Sequence, residues 1–360
     1  MMLSPMQSGA ARLGMTLLVA ACGGGIFHLL GLPAAPLSGA MVFVAVTTLA
    51  GAPTLLPDRL RDALFIAIGI SMGAGVQPDL IERAGDWPVS MALLVVVVIC
   101  VTLAGYAVLH LGAKWSKETA YFGAIPGALS YVIALASERG ADLPRIASSQ
   151  SLRLFVLVAI LPFAVVSSSE VDAGAVQGVA ASSPVEILVG VALCLAASWL
   201  AVRMRVPGGW MTGAFFMSAA LNATGILTLA LPQFVLVLCF VMFGAMIGTR
   251  FASMTFHQFV SVLGASLAAF CAAFLTSIAG ALLMSALVDI PFGQALLAYA
   301  PGGLEDMTLL AFMLDLDPTF VAAHQIARFT GMVLLLPFVT GLVLGRPTER
   351  GAGKGPQPRT

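Results

Sequence analysis

Charged side chains are scarce in this sequence. Only 9% of its 360 residues are Asp, Glu, Lys or Arg, whereas about a quarter of a typical soluble domain is charged. Apolar residues make up 59%, and the mean hydropathy is +1.01. Because so few charged residues cannot form the surface of a soluble protein, the composition predicts an integral membrane protein. The net charge is zero, which gives no reason to expect nucleic acid as a partner.

Cysteine and histidine are also few, and they are scattered. The five cysteines stand singly in apolar runs, and the four histidines lie in separate segments without a Cys-x-x-Cys, His-x-His or His-x-x-Glu pattern. A metal centre or a disulfide framework needs such residues at characteristic spacings. The sequence therefore predicts no metal, no cofactor and no enzyme activity, and it argues against a copper or iron oxygenase.

The chain contains an internal repeat. Residues 126–163 align without a gap with 301–338, at an offset of 175, and PAAPLSGA at 33–40 matches PGGWMTGA at 207–214. The repeat divides the chain into a cytoplasmic N-terminus (1–12), membrane repeat one (13–167), a linker (168–183), membrane repeat two (184–345) and a disordered cytoplasmic tail (346–360). Six apolar segments are predicted in each repeat, at about 13–31, 37–52, 60–78, 88–111, 118–138 and 145–167, and at about 184–202, 210–227, 232–250, 257–287, 293–314 and 318–345.

The fifth apolar segment of each repeat is interrupted by Pro-Gly, at 126–127 and 301–302. If both segments are re-entrant hairpins, fourteen Lys and Arg residues outside the apolar segments or at their ends fall on the cytoplasmic side and only Arg83 falls on the other side. Each repeat then crosses the bilayer five times, so the two are inverted relative to each other. The predicted fold class is an all-α polytopic membrane protein of two homologous halves, inverted repeats of five spans plus one re-entrant Pro-Gly hairpin each. Both termini are predicted to be cytoplasmic.

The interrupted segments are the predicted binding site. Backbone groups freed at a Pro-Gly break must be satisfied by protein, water or a ligand, and the half-helices that restart there present amide-rich N-termini that favour anions. Each half-helix spans about half the apolar thickness, so the two tips are expected to meet near the midplane. The candidate residues at the tips are Pro126, Gly127, Ser130, Tyr131, Pro301, Gly302 and Gly303.

Two adjacent acids, Glu305 and Asp306, follow the second tip, where the first repeat has Ser130 and Tyr131. Acids inside a membrane are costly and are by default interpreted as functional, so these are candidates for binding the H⁺ or Na⁺ that drives transport. Two other interpretations stay open. The acids can stabilise the start of a helix, or they can form a fixed ion pair with Arg328.

Apart from residues at the segment ends, Arg153 and Arg328 are the only Lys or Arg residues inside the predicted apolar segments, and they occupy equivalent positions together with Gln150 and Gln325. An arginine binds a carboxylate or phosphate with two hydrogen bonds, so we interpret the pair as an anion site or as anchors of the hairpins. Neutralisation of Asp306 is the alternative. His324 can titrate near neutral pH, although a single histidine is more often a structural hydrogen-bonding group.

Small residues recur at two further places. PAAPLSGA and PGGWMTGA follow a proline break, and IGISMGAG (68–75) and FGAMIG (243–248) carry glycines at a spacing of four. Such patterns favour close packing of helices. For the first pair of motifs, a bend that lines the substrate path is the alternative.

The duplicated pattern PLSGA…GISMG…IPGALS…RL resembles the bacterial membrane family called AbrB, over residues 13–345. The resemblance implies a protein of the bacterial cytoplasmic (inner) membrane. Members carry labels such as ammonia monooxygenase and regulator of aidB expression, and no catalytic residues come with the family. The absence of a soluble domain and of a basic helix argues against direct binding to DNA.

These observations predict a secondary transporter of a small, anionic organic solute coupled to H⁺ or Na⁺. The alternative is a membrane sensor that binds a ligand at the same site and affects gene expression indirectly. The expected partners are the solute, the coupling ion and the lipid bilayer, and a homodimer is left open.

Overall fold

The computed structural model describes residues 9–74, 87–166 and 184–345, apart from 128, 207, 228, 230, 254 and 289. Arg83, the predicted linker at 168–183 and the predicted tail at 346–360 lie outside the described residues. Every regular element within them is a helix. The first half contains α1 (Gly9–Leu29), α2 (Ala35–Leu49), α3 (Asp58–Ala74), α4 (Trp87–Ala107), α5 (Lys117–Ala124), α6 (Leu129–Ser137) and α7 (Leu143–Val166). The second half contains α8 (Pro184–Arg203), α9 (Gly209–Ala223), α10 (Gln233–Thr249), α11 (Phe256–Leu287), α12 (Phe292–Tyr299), α13 (Leu304–Met313) and α14 (Pro318–Leu344).

Seven of these helices are long and apolar enough to cross a membrane: α1, α4, α7, α8, α10, α11 and α14. The prediction of an all-helical chain with several membrane-crossing helices is therefore confirmed. Helix α10 reaches the length of a membrane span together with the 3-10 turn that follows it, to Ala252. The other predicted spans are shorter: α2 and α9 have 15 residues each and α3 has 17. The fifth segment of each half is broken into two short helices at Pro-Gly, as the sequence predicts.

The first helix differs from the sequence prediction at its start. It begins at Gly9, so Arg12 lies within α1 rather than in the terminal segment before it. The Nε atom of Arg12 donates a hydrogen bond to the carbonyl of Pro53, at 3.2 Å. This bond gives the cation a partner near the beginning of the helix.

Two pairs of corresponding helices in the two halves have the same length and the same offset in the sequence. Helices α3 and α10 begin and end 175 residues apart, and so do α5 and α12. The offset is the one found in the sequence alignment.

Glycines hold two helices of the first half against two helices of the second. A Cβ atom placed on Gly69 of α3 would lie 2.5 Å from the carbonyl oxygen of Met211 in α9, and one on Gly73 would overlap α9 one turn further on. Gly244 and Gly248 of α10 approach the backbone of α2 in the same way. The prediction of tight helix contacts at these glycines is confirmed. We call these two contacts, α3 with α9 and α10 with α2, the glycine seams.

The remaining helices form a second layer that holds the hairpins. Helix α4 packs on α11, α11 packs on α7 and α12, and α14 packs on α12 and α13. Hairpin α5–α6 lies against α4 and α7. Each half of the chain thus gives its first three helices to the layer of the glycine seams and its last four to the layer of the hairpins.

Candidate functional site

The tips of the two hairpins meet. Pro126 and Pro301 are both buried. A Cβ atom placed on Gly127 would lie 3.6 Å from the carbonyl oxygen of Gly302 and 3.8 Å from Nη2 of Arg328. Gly127 has φ +91°, a conformation that favours glycine, so this turn depends on the residue that the sequence places there.

Two glutamines hold the helices that lead into the tips. Nε2 of Gln150 in α7 donates to the carbonyl of Phe122 at 3.2 Å, and Nε2 of Gln325 in α14 donates to the carbonyl of Leu297 at 2.9 Å. Donor and acceptor are 28 residues apart in both cases. Gln150 and Gln325 are almost completely buried, so each bond satisfies a carbonyl that water cannot reach.

Two arginines hold the tips themselves. Nη1 of Arg153 donates to the carbonyl of Ile125 at 3.1 Å, and Nη1 of Arg328 donates to the carbonyl of Ala300 at 2.5 Å. Arg328 also donates through Nη2 to the carbonyl of Gly302. Each arginine therefore holds a carbonyl at one hairpin tip.

The positive charges of the two arginines are not neutralised by a nearby carboxylate in the described part of the chain. Arg153 and Arg328 are 7% and 6% exposed, and the field of one guanidinium acts on the other. The Nε atom of each is buried and has no hydrogen-bond partner in the part of the chain that the structure describes. Among the described residues, no carboxylate lies within 4 Å of either guanidinium. Two buried cations that share a site and have no counter-charge are costly, and an anion bound between them would lower that cost.

Asp306 is 2% exposed, and its carboxylate lies against Gly303 at the start of α13. Its Oδ1 atom is buried and has no hydrogen-bond partner among the described residues. The position of Asp306 in the first turn is compatible with an acid that stabilises the helix start. The unsatisfied oxygen leaves one acceptor that a proton or Na⁺ can occupy.

Glu305 is half-buried and directed toward the start of α9. Its Oε1 atom would lie 3.2 Å from a Cβ atom on Gly208. The cations whose fields reach Glu305 are Arg250, which follows α10, and Arg61 in α3. The alternative of an ion pair between Arg328 and either acid does not occur in the described structure.

His324 lies against the start of α4 and beside Tyr299 at the end of α12. Its Nδ1 atom is 2.8 Å from the carbonyl of Phe320, and its Nε2 atom is 2.7 Å from Oγ of Ser90. A carbonyl only accepts, so Nδ1 donates to Phe320. Oγ of Ser90 also lies 2.9 Å from the carbonyl of Trp87, so its one hydroxyl proton is shared between that carbonyl and Nε2 of His324. The hydroxyl of Tyr299 donates to the carbonyl of Ser90 at 3.0 Å. Both ring nitrogens of His324 thus lie within hydrogen-bonding distance of a partner, as expected for a structural hydrogen-bonding group, and no sequence motif indicated these partners.

The first hairpin is fastened to the last helix of the chain. The hydroxyl of Tyr131 donates to the carbonyl of Val333 at 3.1 Å, and the hydroxyl of Tyr121 lies 3.2 Å from Oγ1 of Thr340. Tyr131 is thus occupied in packing α6 against α14. Ser130 belongs to α6, but its side chain lies outside the described residues.

A cavity of about 480 Å³ opens between α4 and α14 beside the first hairpin. Tyr121 and Ile125 of the hairpin line it, and so does Arg328. One member of the arginine pair is therefore at the wall of an open space, which the sequence did not indicate.

The fold and the site define an all-helical protein, with helices suited to cross a bilayer and two Pro-Gly hairpins that meet at buried arginines. The chain belongs to the AbrB family, because the sequence model of that family, described as "Transition state regulatory protein AbrB", matches residues 37–344. It is 25% identical over 326 residues to the Escherichia coli K12 protein named "Putative regulator AbrB", covering 89% of this chain and 93% of the relative. It is 27% identical over 297 residues to the Bacillus subtilis 168 protein named "Uncharacterized protein YhjN", covering 75% of each chain.

Proposed function

We propose that the protein is not an enzyme but a secondary transporter of a small, anionic organic solute, coupled to H⁺ or Na⁺ in the bacterial inner membrane. The observation that carries the proposal is the pair of buried arginines at the meeting hairpin tips. Their Nη atoms hold backbone carbonyls, while their charge is not balanced by any carboxylate of the described chain within 4 Å. A planar guanidinium with donors to spare recognises a carboxylate or phosphate.

The proposed architecture is an inverted repeat with both termini in the cytoplasm. The common offset of the helix bounds supports it, as do the matched bonds of Gln150 with Gln325 and of Arg153 with Arg328. Broken helices at the midplane between two such repeats are a recurring plan of secondary transporters. The layer of the glycine seams and the layer of the hairpins are the two bodies that would rock against each other.

The proposed site for the coupling ion is the acid pair Glu305 and Asp306. Neither acid forms an ion pair with Arg328 in the described structure, and the nearest positive charges are Arg250 and Arg61 for Glu305 and Arg250 for Asp306. In the proposed topology both of these cations are cytoplasmic. Solute and coupling ion would thus occupy adjacent sites on the same hairpin, so that movement of the hairpin links them.

Gradient-driven uptake in proteoliposomes tests the proposed function. We expect at least one organic anion of a metabolite library to accumulate when a proton or sodium gradient is imposed. Glu305→Gln should abolish accumulation and retain exchange of labelled for unlabelled solute, because exchange needs no net ion movement. The matched control is Glu118→Gln, which removes the first-turn acid of α5 and should leave accumulation intact. Folded protein that shows neither uptake nor exchange for any anion would contradict the proposal.

Labelling of single cysteines tests the proposed topology. In a background without the five native cysteines, Glu138→Cys and Leu316→Cys should be labelled from opposite compartments, because they follow the two hairpins of oppositely oriented repeats. A membrane-impermeant maleimide added to right-side-out or inverted vesicles distinguishes the compartments. Labelling of both positions from one side would rule out the inverted arrangement.

The second candidate is a membrane sensor, and the regulatory description of the family favours it. A sensor would bind the same anion at the arginine pair and pass the signal to a cytoplasmic partner. The sensor hypothesis predicts saturable binding of the anion without its transport. The uptake and exchange measurements therefore separate the two candidates.

A further inference from the structure

The cavity lies between α4 and α14, which correspond to α11 and α7 in the sequence alignment of the two halves. Helix α11 lies closely against α7, whereas α4 and α14 are more widely separated. The two pairs of helices thus differ in spacing, although both hairpins are held by matched bonds.

The lining of the cavity is apolar along almost its whole length. Leu94, Val98 and Ile99 of α4 face Leu335, Leu336 and Val339 of α14. The lining extends from Met91 to Tyr106 on α4 and from Ala327 to Val343 on α14. At 1.5 Å per helical residue this length is about 22 Å, which suits an extended hydrocarbon chain.

One end of the cavity carries Arg328, the only charged side chain among the described residues that line it. Ile125, whose carbonyl is held by Arg153, lines the same end, so the second arginine lies behind it. At the other end Tyr121 meets Thr340. The cavity therefore combines a buried cation with a long apolar channel, which is complementary to an anionic head on an apolar body.

We propose that this cavity binds a free carboxylate with a long apolar chain, of the fatty-acid class, with its head at Arg328 and its chain directed toward Tyr106 and Val343. The inference rests on the proposed function and names the solute class of that site. A bilayer phospholipid does not fit, because Arg328 lies about 15 Å along α14, near half the thickness of the apolar core. The head group of a bilayer lipid stays at the interface, whereas a carboxylate in transit crosses this depth.

Binding to the full chain in nanodiscs tests the inference. Dodecanoate and the uncharged dodecanol, of equal chain length, are titrated at mildly alkaline pH and followed by calorimetry. We expect dodecanoate to bind at least about tenfold more tightly than dodecanol, because only the carboxylate pairs with Arg328.

Two glycine substitutions on α14 test where the hydrocarbon chain of the ligand binds. Gly331 lines the cavity, and a Cβ atom on Gly331 meets nothing within 4 Å, so Gly331→Leu fills the space without a clash. Gly341 is equally open but does not line the cavity. Gly331→Leu should weaken the binding of dodecanoate at least about tenfold, whereas Gly341→Leu should leave it unchanged.

Equal affinity for the acid and the alcohol, or full affinity in Gly331→Leu, would overturn the inference. A cavity filled by bilayer phospholipid would give the first of these results. Either result leaves the proposed function standing if short, water-soluble anions are still transported. Tight binding of dodecanoate that is lost in Gly331→Leu, without flux of any anion, supports the cavity assignment and contradicts transport.

Discussion

Arg328→Gln should abolish anion transport and weaken the binding of any anionic ligand at least about a hundredfold. Removing one partner of a buried, hydrogen-bonded charge pair costs roughly 3 kcal/mol or more, which is about this factor in affinity. The substitution also releases the carbonyls of Ala300 and Gly302, which Arg328 holds in the native protein. Flux in proteoliposomes and calorimetric binding are the measurements.

Gln325→Leu separates the two roles of the arginine. It removes the hydrogen bonds to the carbonyls of Leu297 and Ala298 and leaves the charge at the tip unchanged. If Arg328 only holds the hairpin, the two variants should lose ligand affinity to a similar extent. If it binds the anion, Arg328→Gln should lose far more. Affinity of Arg328→Gln equal to that of the native protein would show that the site has been assigned to the wrong residues.

Gly244→Leu should destabilise the protein by roughly 3 kcal/mol or more, the upper range for overpacking of a close contact. A Cβ atom there would overlap the carbonyl oxygen of Leu37 and lie 3.0 Å from the backbone nitrogen of Met41. Both atoms belong to the backbone of α2, which cannot rotate away as a side chain can. Thermal unfolding in detergent, together with the monodisperse fraction in size-exclusion chromatography, measures the effect.

The matched control is Gly264→Leu in α11. Gly264 is exposed and a Cβ atom on it meets nothing within 4 Å. Replacing a helical glycine without a steric clash stabilises a helix by roughly 0.5–1 kcal/mol, so the control should be neutral or slightly stabilised. Equal destabilisation by both substitutions would mean that the contact with α2 is not the cause.

The parts of the site that repeat were predictable from the sequence. Gln150 and Arg153 recur as Gln325 and Arg328, and a Pro-Gly break precedes each pair at the same distance, so a shared structural role follows from the spacing alone. The hairpins were predictable because a proline followed by glycine cannot continue a helix inside an apolar segment.

The parts that depend on contacts between distant helices were not predictable. His324 and Ser90 are 234 residues apart, and no motif joins them. The alternative of an ion pair between Arg328 and the acids of α13 rested on opposite charges in one short region. In the folded chain Arg328 is directed to the hairpin carbonyls and Glu305 toward the start of α9. The sequence also could not predict the cavity, because the cavity arises from the separation of α4 and α14 and not from any residue pattern.

The glycine seams have a consequence for biosynthesis. Gly69 and Gly73 of α3 find their packing surface on α9, which is synthesised about 140 residues later. Until then, the glycine face of α3 lacks this packing surface. Helix α2 likewise lacks the surface that α10 provides. The nascent first half must therefore stay in the membrane as an unfinished set of helices, and native packing is completed only after the ribosome has delivered the second half.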